Sequence, residues 1–364
     1  MFHEHELYMK PIWEGGRIVA ETIFPLYKKG QSGELTIALL NEIARVYEVR
    51  RADRSETFTE GRDYFVRAGK LVIPANSRIR IMPWEEYNPE EKTERGFTCT
   101  EGGYLLFGEG STFHRLQYEV TYDAAGNVFD GKYRPEASPL LANTRKILET
   151  GELKLAFFGD SITFGANASG LGNIAPYMPI YPKLAAETLE GRGMRVHYYN
   201  PSVGGKTSVW GVEVAPRTVG SFAPDLCVIA FGMNDGNGPA DPEGRSVKFV
   251  ENIKKIIDIV RGANPAAEFI LVCTTFPNPL AKQFAGVQQA FEQPIIDLAA
   301  KEGCAVLDMT ALQRIVMERK EYHHFTGNNI NHPSDFMARV YAQGIVAVIG
   351  GEPPRAIGAN ILSC

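Results

Sequence analysis

The sequence has few cysteines, and their spacing suits neither pairing nor metal binding. The 364 residues include five cysteines, an odd number, with no C-x-x-C pair among them. Such spacing argues against a disulfide framework and against a tetrahedral zinc site. We therefore expect free, buried thiols, a cytoplasmic location and no metal, and no motif implies an organic cofactor. The cysteines are Cys99, Cys227, Cys273, Cys304 and Cys364.

Clustered positive charge and long apolar runs are also lacking. The formal net charge is −5, and basic residues form only short clusters such as Arg50-Arg51 and Lys254-Lys255. A nucleic-acid surface needs clustered Lys and Arg, so we expect no nucleic-acid partner. The first residues have neither the basic nor the apolar segment of a signal peptide, and no run is suited to span a membrane. We expect no membrane partner either, and the sequence leaves the oligomeric state open.

The pattern of short apolar segments changes along the chain and predicts two domains, as expected at this length. Residues 1–135 contain many short β-type runs separated by Gly, Pro or Asn, which is typical of a β-sandwich or jelly-roll. Residues 136–150 predict a linker helix. Residues 151–364 alternate apolar strands with amphipathic helices, which predicts an α/β domain whose parallel sheet is covered on both sides.

The sequence has no G-x-S-x-G, which excludes the nucleophile elbow of the α/β-hydrolases. It has instead an apolar run, Leu153 to Phe158, that breaks into Gly159-Asp160-Ser161. In a parallel sheet the ligand crevice lies beyond the carboxyl ends of the strands, where this break would present the Ser161 hydroxyl. A serine hydroxyl is a weak nucleophile without a base, and a serine in this setting is by itself more often a turn residue or a helix cap.

Three later segments contain the partners that such a serine needs. His332 is the candidate base, because Pro333 predicts the first turn of a helix whose positive dipole end favours a neutral imidazole. Gly205 and Asn234 are the candidate donors of an oxyanion hole, together with the Ser161 amide. Taken singly they would be a structural histidine, a turn glycine and a capping asparagine. Their occurrence together favours a catalytic site.

These four segments, in this order, resemble the blocks of the SGNH (GDSL) hydrolases. The resemblance covers residues from about 153 to 350. It implies a three-layer, flavodoxin-like parallel-sheet domain and a carboxylic ester hydrolase. It also implies that Ser161 is the nucleophile and His332 the base. The oxyanion hole would be formed by Ser161, Gly205 and Asn234.

One position departs from the pattern of that family. Its members often have an acid three residues before the histidine, and this chain has Asn329 there. The Asn329 side-chain carbonyl would accept the same hydrogen bond from the imidazole, as in Cys-His-Asn proteases. Alternatively, a backbone carbonyl would orient the ring and leave a Ser–His dyad. Asp335, three residues after His332, is expected to be a first-turn helix acid instead.

The substrate is indicated mainly by the domain organisation. A β domain before an SGNH domain is similar to that of certain carbohydrate esterases, so we expect hydrolysis of small acyl esters, acetyl above all, through an acyl-enzyme intermediate. Tyr177, in the long loop 165–182, and Trp210 are candidate substrate-binding residues, although packing roles are at least as common for such residues. Two alternatives remain open: a lysophospholipase- or thioesterase-like acyl hydrolase, and a non-catalytic carbohydrate-binding protein with a decayed site.

Overall fold

A computed structural model describes residues 6–92, 96–191, 193, 195–238, 241–282 and 286–350. Cys364 and the first five residues, which bear on the thiol and signal-peptide predictions, lie outside these ranges. The four cysteines within them, Cys99, Cys227, Cys273 and Cys304, are free and buried, as predicted. Within the same ranges no helix combines the length and apolarity needed to cross a bilayer.

The regular secondary structure of the N-terminal region is mainly short antiparallel strands, as the sequence predicts. They form a four-stranded sheet in the order β1-β9-β3-β4, a three-stranded sheet in the order β2-β6-β5, and the pair β7-β8. These strands are β1 (Arg17–Ile23), β2 (Leu35–Ile37), β3 (Ile43–Arg51), β4 (Thr57–Phe58), β5 (Phe65–Arg67), β6 (Lys70–Ile73), β7 (Phe97–Thr98), β8 (Tyr104–Leu105) and β9 (Tyr118–Ala124).

The second half of the chain forms a five-stranded parallel sheet in the order β11-β10-β12-β13-β14. Its strands are β10 (Glu152–Gly159), β11 (Arg195–Tyr199), β12 (Leu226–Ala230), β13 (Glu268–Cys273) and β14 (Ala305–Asp308). Alternate residues of β10 face opposite sides: Leu155 and Phe157 join one hydrophobic cluster, whereas Ala156 and Phe158 join another. Both faces of the sheet are therefore covered, which confirms the predicted three-layer α/β fold.

Helices cover both faces of this sheet. The α-helices are α1 (Trp84–Tyr87), α2 (Ala142–Thr150), α3 (Ser161–Phe164), α4 (Tyr181–Glu190), α5 (Ser208–Val214), α6 (Val219–Phe222), α7 (Pro242–Ala263), α8 (Glu292–Glu302), α9 (Met309–Met317) and α10 (Asp335–Ile349). Short 3₁₀ helices lie at Ile12–Glu14, His114–Leu116, Pro139–Leu141, Ala215–Arg217, Gln288–Phe291 and Tyr322–His324. The helix α2 occupies the segment predicted to be a linker helix.

The N-terminal strands and the parallel sheet share one hydrophobic core. A single cluster of buried side chains includes Ile23 of β1 and Val120 of β9 as well as Leu155 of β10. A further cluster contains both Phe113 and Ile330, and Ile330 lies two residues before the candidate base. The N-terminal region therefore packs directly against the part of the chain that holds the catalytic candidates. The domain limits at residues 135 and 151 stay a prediction.

Candidate active site

Ser161 lies just after the carboxyl end of β10, an inner strand of the parallel sheet, and is the first residue of the short helix α3. The Asp160 carboxylate caps this helix by accepting a hydrogen bond from the Ile162 amide at 3.0 Å. The turn requires glycine at position 159, because a β-carbon there would lie 2.3 Å from the Ala230 carbonyl oxygen. The local sequence thus brings the Ser161 hydroxyl to the edge of the sheet where parallel-sheet ligands bind.

The structure brings His332 to the serine. Its Nε2 atom lies 2.9 Å from Ser161 Oγ, which is hydrogen-bond distance. The loop before it is fixed by the Asn328 side-chain carbonyl, which accepts three successive backbone N–H bonds, at 2.9, 3.0 and 3.1 Å. The helix α10 begins at Asp335 with Ser334 as its N-cap, so Pro333 lies before the first turn and not within it, contrary to the prediction.

The structure does not place Asn329 against the imidazole, so the predicted orienting role is wrong. Asn329 is fully buried, and its backbone has a φ of +71°. Its Oδ1 atom accepts hydrogen bonds from Tyr87 Oη at 2.9 Å and from Asn278 Nδ2 at 3.1 Å. Its Nδ2 atom donates to the Leu106 carbonyl at 2.9 Å. Asn329 therefore joins the histidine loop to the N-terminal region, and the spacing of three residues does not direct its side chain to the ring.

Asn167 holds the imidazole instead. Its Oδ1 atom lies 2.6 Å from His332 Nδ1, and its Nδ2 atom donates to the Gly110 carbonyl at 2.9 Å. The second bond identifies Oδ1 as the acceptor, which requires the proton on Nδ1 and leaves Nε2 free to accept the proton of Ser161. Asn328 Nδ2 also lies 3.0 Å from Nδ1, but it has acceptors for both of its hydrogens in Asn331 Oδ1 and Glu109 Oε1. A general base needs this tautomer. The group nearest to Nδ1 is thus a side-chain carbonyl and not the backbone carbonyl of the alternative prediction.

A carboxylate from the N-terminal region also reaches the imidazole. Glu109 Oε2 lies 3.4 Å from His332 Nδ1, and Glu109 Oε1 lies 3.3 Å from Asn328 Nδ2. Partial burial acts to raise the pKa of Glu109, but its interactions with His332, Asn328 and Asn167 outweigh burial and lower that pKa. Sequence reasoning missed both Asn167 and Glu109, because neither belongs to a short motif that contains the histidine.

The candidate oxyanion donor Gly205 lies on a turn next to the serine, and Asn234 lies on a loop that is hydrogen-bonded to the neighbouring Lys206. A β-carbon added to Gly204 would lie 3.7 Å from Ser161 Cβ, which places the Gly204–Gly205 turn against the nucleophile. Gly205 has a φ of +73°, a conformation that suits glycine. Asn234 Nδ2 donates to the Lys206 carbonyl at 3.0 Å and so links the two donor loops. The oxyanion hole itself stays a prediction.

The two candidate substrate residues differ in environment. Tyr177 is 61% exposed, with a φ of +59°, in the loop that follows α3. Trp210 is partly buried on α5, where its ring lies 6.0 Å from that of Phe158 and 5.8 Å from the Lys206 ammonium. Tyr177 is therefore available at the surface, whereas Trp210 is engaged in packing. Their role in substrate binding stays a prediction. Asp335 accepts a hydrogen bond from the Ser169 amide at 3.0 Å and so helps to fix the same loop.

The carboxyl group next to the nucleophile is buried and weakly acidic. Burial raises the pKa of Asp160 from 3.8 to about 7, although the hydrogen bond from the Ile162 amide acts in the opposite direction. Behind it lies a cavity of about 10 Å³, bordered by Asp160 and Thr163, which has room for a single water molecule. The cap of α3 therefore carries a proton in mildly acidic solution and a buried charge in alkaline solution.

We expect Asp160→Asn to change how stability depends on pH. The folded-state pKa lies above the unfolded value, so folding takes up a proton between about pH 4 and 7, and the wild type loses stability as pH rises through that range. Asparagine retains the capping oxygen but does not titrate. Relative to the wild type, the variant should gain roughly 2–3 kcal/mol of unfolding free energy between about pH 5 and 8, measured by urea denaturation. The exposed Asp297→Asn is the control, and a pH-independent difference would contradict the prediction.

Comparison with known proteins identifies the family. The GDSL-like Lipase/Acylhydrolase family matches residues 157–340, about half of the 364-residue chain. The chain belongs to this family. The match confirms the family predicted from the four segments, and carboxylic ester hydrolysis is the activity that membership of this family predicts.

Individual relatives are more distant. An arylesterase from Vibrio mimicus is 29% identical over 113 residues, which cover 30% of this chain and 51% of the relative, so the match spans about half of that protein's length. A two-domain esterase (CEX) active on acetylated mannans is 23% identical with a TM-score of 0.45, covering 57% of this chain and 51% of its own. An acetyl xylan esterase, AlAXEase, is 21% identical with a TM-score of 0.42, covering 53% and 98%.

Proposed function

We propose that this member of the GDSL family is a serine esterase that hydrolyses small acyl esters, acetyl above all, carried by carbohydrates. The observation that carries the proposal is the 2.9 Å contact between Ser161 Oγ and His332 Nε2, with Nδ1 held by Asn167. This contact and the tautomer it requires are the arrangement that activates a serine. A binding protein would have no need of it, so catalysis is favoured over a decayed site.

In the proposed reaction His332 takes the Ser161 proton while Oγ attacks the acyl carbon. The negative charge that develops on the acyl oxygen is stabilised by the Ser161 amide and by the donors predicted at Gly205 and Asn234. His332 then passes the proton to the leaving sugar hydroxyl, and an acyl-enzyme forms. A water molecule, deprotonated by His332, attacks the acyl-enzyme, and the carboxylic acid is released while Ser161 regains its proton.

The preference for a small acyl group is supported by the packing around the serine. Ser161 is only 6% exposed, and the turn at Gly204 lies against its β-carbon. A nucleophile that is buried and closely packed in this way suits a short acyl chain better than a long one. The carbohydrate alcohol is proposed from the architecture, in which a β-rich N-terminal region lies against the hydrolase fold.

A chain-length series tests the acyl preference. We expect kcat/KM to fall at least about tenfold from p-nitrophenyl acetate to p-nitrophenyl octanoate. A pocket with no room for additional methylene groups discriminates between acyl chains by factors of this size. Acetate release from acetylated xylo-oligosaccharides and acetylated mannan should accompany it. Activity that rises with chain length would contradict the proposal and favour a lysophospholipase- or thioesterase-like hydrolase. Activity on p-nitrophenyl acetate without acetate release from either carbohydrate would contradict the alcohol portion alone.

A further inference from the structure

The N-terminal region contributes a negative charge to the active site from outside the hydrolase family's part of the chain. Resting on the proposed function, we infer that Glu109 is a positioning residue that stabilises the protonated His332 during acyl transfer, while Asn167 sets the tautomer of the resting imidazole. The task of a single acid in a Ser-His-Asp triad is thereby divided between a neutral acceptor and a separate carboxylate.

The two distances to the imidazole support this division. Asn167 Oδ1, at 2.6 Å from Nδ1, is the nearer acceptor and is neutral, whereas Glu109 Oε2 is at 3.4 Å and carries charge. A neutral amide orients an imidazole but offers no net charge to the imidazolium that forms when Ser161 gives up its proton. His332 is only 8% exposed, whereas the Glu109 side chain is 43% exposed, so water screens part of the attraction between the carboxylate and the imidazolium.

The carboxylate is held toward the ring by several contacts. Glu109 Oε1 lies 3.3 Å from Asn328 Nδ2, and Asn328 also fixes the backbone of the histidine loop. The adjacent Gly110 carbonyl accepts the hydrogen bond of Asn167 at 2.9 Å. Residues 109 and 110 therefore contact both side chains that flank the imidazole. The lowered pKa of Glu109 keeps its carboxyl group ionised where the esterase would work.

Other ionisable groups lie on the elements around this site and must stay constant in a test. Asp160 precedes the nucleophile, and His114 Nδ1 lies 4.0 Å from Asp335 Oδ2 beside the loop that carries Asn167. Glu109 is the carboxylate whose oxygen lies within 4 Å of the His332 ring among the residues that the structure describes. Replacing Glu109 by glutamine removes this charge, preserves the size of the side chain and leaves those three groups unchanged.

The test compares Glu109→Gln, Asn167→Asp and the double variant with the full-length wild type. In E109Q we expect kcat for p-nitrophenyl acetate to fall about 10- to 100-fold with little change in KM, because the charge acts on the transition state. The acid limb of the kcat/KM profile should move to lower pH, because the imidazolium loses a neighbouring negative charge. Adding N167D restores a carboxylate beside Nδ1 but removes the donor to the Gly110 carbonyl, so the double variant should recover the wild-type acid limb and part of kcat.

The controls separate this inference from the proposed function. Glu90→Gln makes the same chemical change at an exposed position of the N-terminal region and should be without effect. The rate at which a fluorophosphonate labels Ser161 reports serine activation without any assumed substrate, and it should also fall in E109Q. Two results would overturn the inference but not the proposed esterase activity. One is wild-type kinetics in E109Q. The other is a loss of kcat in E109Q that leaves the acid limb in place and that N167D does not restore. Absence of labelling in the wild type would overturn both.

Discussion

Replacing Ser161 by alanine is expected to lower kcat on p-nitrophenyl acetate by about 10⁴- to 10⁶-fold, the range seen when a serine hydrolase loses its nucleophile. The reason is that the Ser161 hydroxyl, 2.9 Å from His332 Nε2, forms the bond to the acyl carbon. The proposed reaction has no other nucleophile for this step. KM should change little, because the hydroxyl contributes mainly to the transition state. Steady-state kinetics on purified protein measure both constants.

The partner variant tests whether serine and histidine work as one unit. His332→Ala should cost about as much as S161A, and the double variant should be no worse than either single one, because each change already abolishes the same step. Ser221→Ala and His197→Ala remove the same groups at exposed positions and serve as matched controls. Losses that multiply in the double variant, or S161A with a tenth of wild-type activity, would contradict the proposed mechanism.

The nucleophile and the base could be predicted from the sequence because each lies in a short segment with its own local constraint. Ser161 follows an apolar strand, and Gly159 is needed where a β-carbon would meet the Ala230 carbonyl. Such constraints act between neighbours in the chain and leave a pattern that can be seen in the sequence. The order of the strands then brings the segments to one edge of the sheet, as is general for parallel sheets.

The groups that orient the base could not be predicted in this way. Asn167 has a φ of +67° in a loop, and Glu109 lies on the connection between β8 and β9. Both reach His332 through tertiary packing, which imposes no fixed spacing along the sequence. Asn329 shows the converse error, because its position three residues before the histidine suggested an orienting role. Asn329 has a φ of +71°, and its side chain is hydrogen-bonded to Tyr87 instead of to the imidazole.

The β character of the N-terminal region could be predicted, but its contacts with the hydrolase fold could not. The alternation of apolar and polar residues in short runs indicates which residues are buried. It does not indicate which other part of the chain they pack against. Phe113 and Ile330, for example, share a cluster although they are far apart in the chain. The composition of each region alone therefore suggested an accessory domain, whereas the structure shows side chains of that region packed beside the candidate base.

The buried ion pair between the two regions provides the prediction with the largest expected effect on stability. Lys320, before the histidine loop, pairs with Glu21 of β1, and both side chains are fully buried. Lys320 Nζ also donates to the Thr22 carbonyl at 3.0 Å. Burial lowers the pKa of Lys320, although Glu21 acts to raise it. Removal of either partner alone leaves an uncompensated charge in the interior.

We expect Lys320→Met to lower the unfolding free energy by about 3–5 kcal/mol, the cost typical of breaking a buried pair from one side. The Glu21 oxygens would retain hydrogen bonds from the Leu40 amide at 2.9 Å and Tyr122 Oη at 2.7 Å but would lose their counter-charge. Denaturation by urea measures the loss. Lys183→Met breaks a surface ion pair with Glu187 and should change stability by less than about 1 kcal/mol.

The double variant Glu21→Gln, Lys320→Met shows whether the loss comes from an unpaired charge. It should be clearly more stable than Lys320→Met alone, because glutamine needs no counter-charge, its oxygen can accept the bond from the Leu40 amide, and its NH₂ group can donate to Tyr122 Oη. A double variant as unstable as the single one would instead assign the loss to packing of the lysine stem.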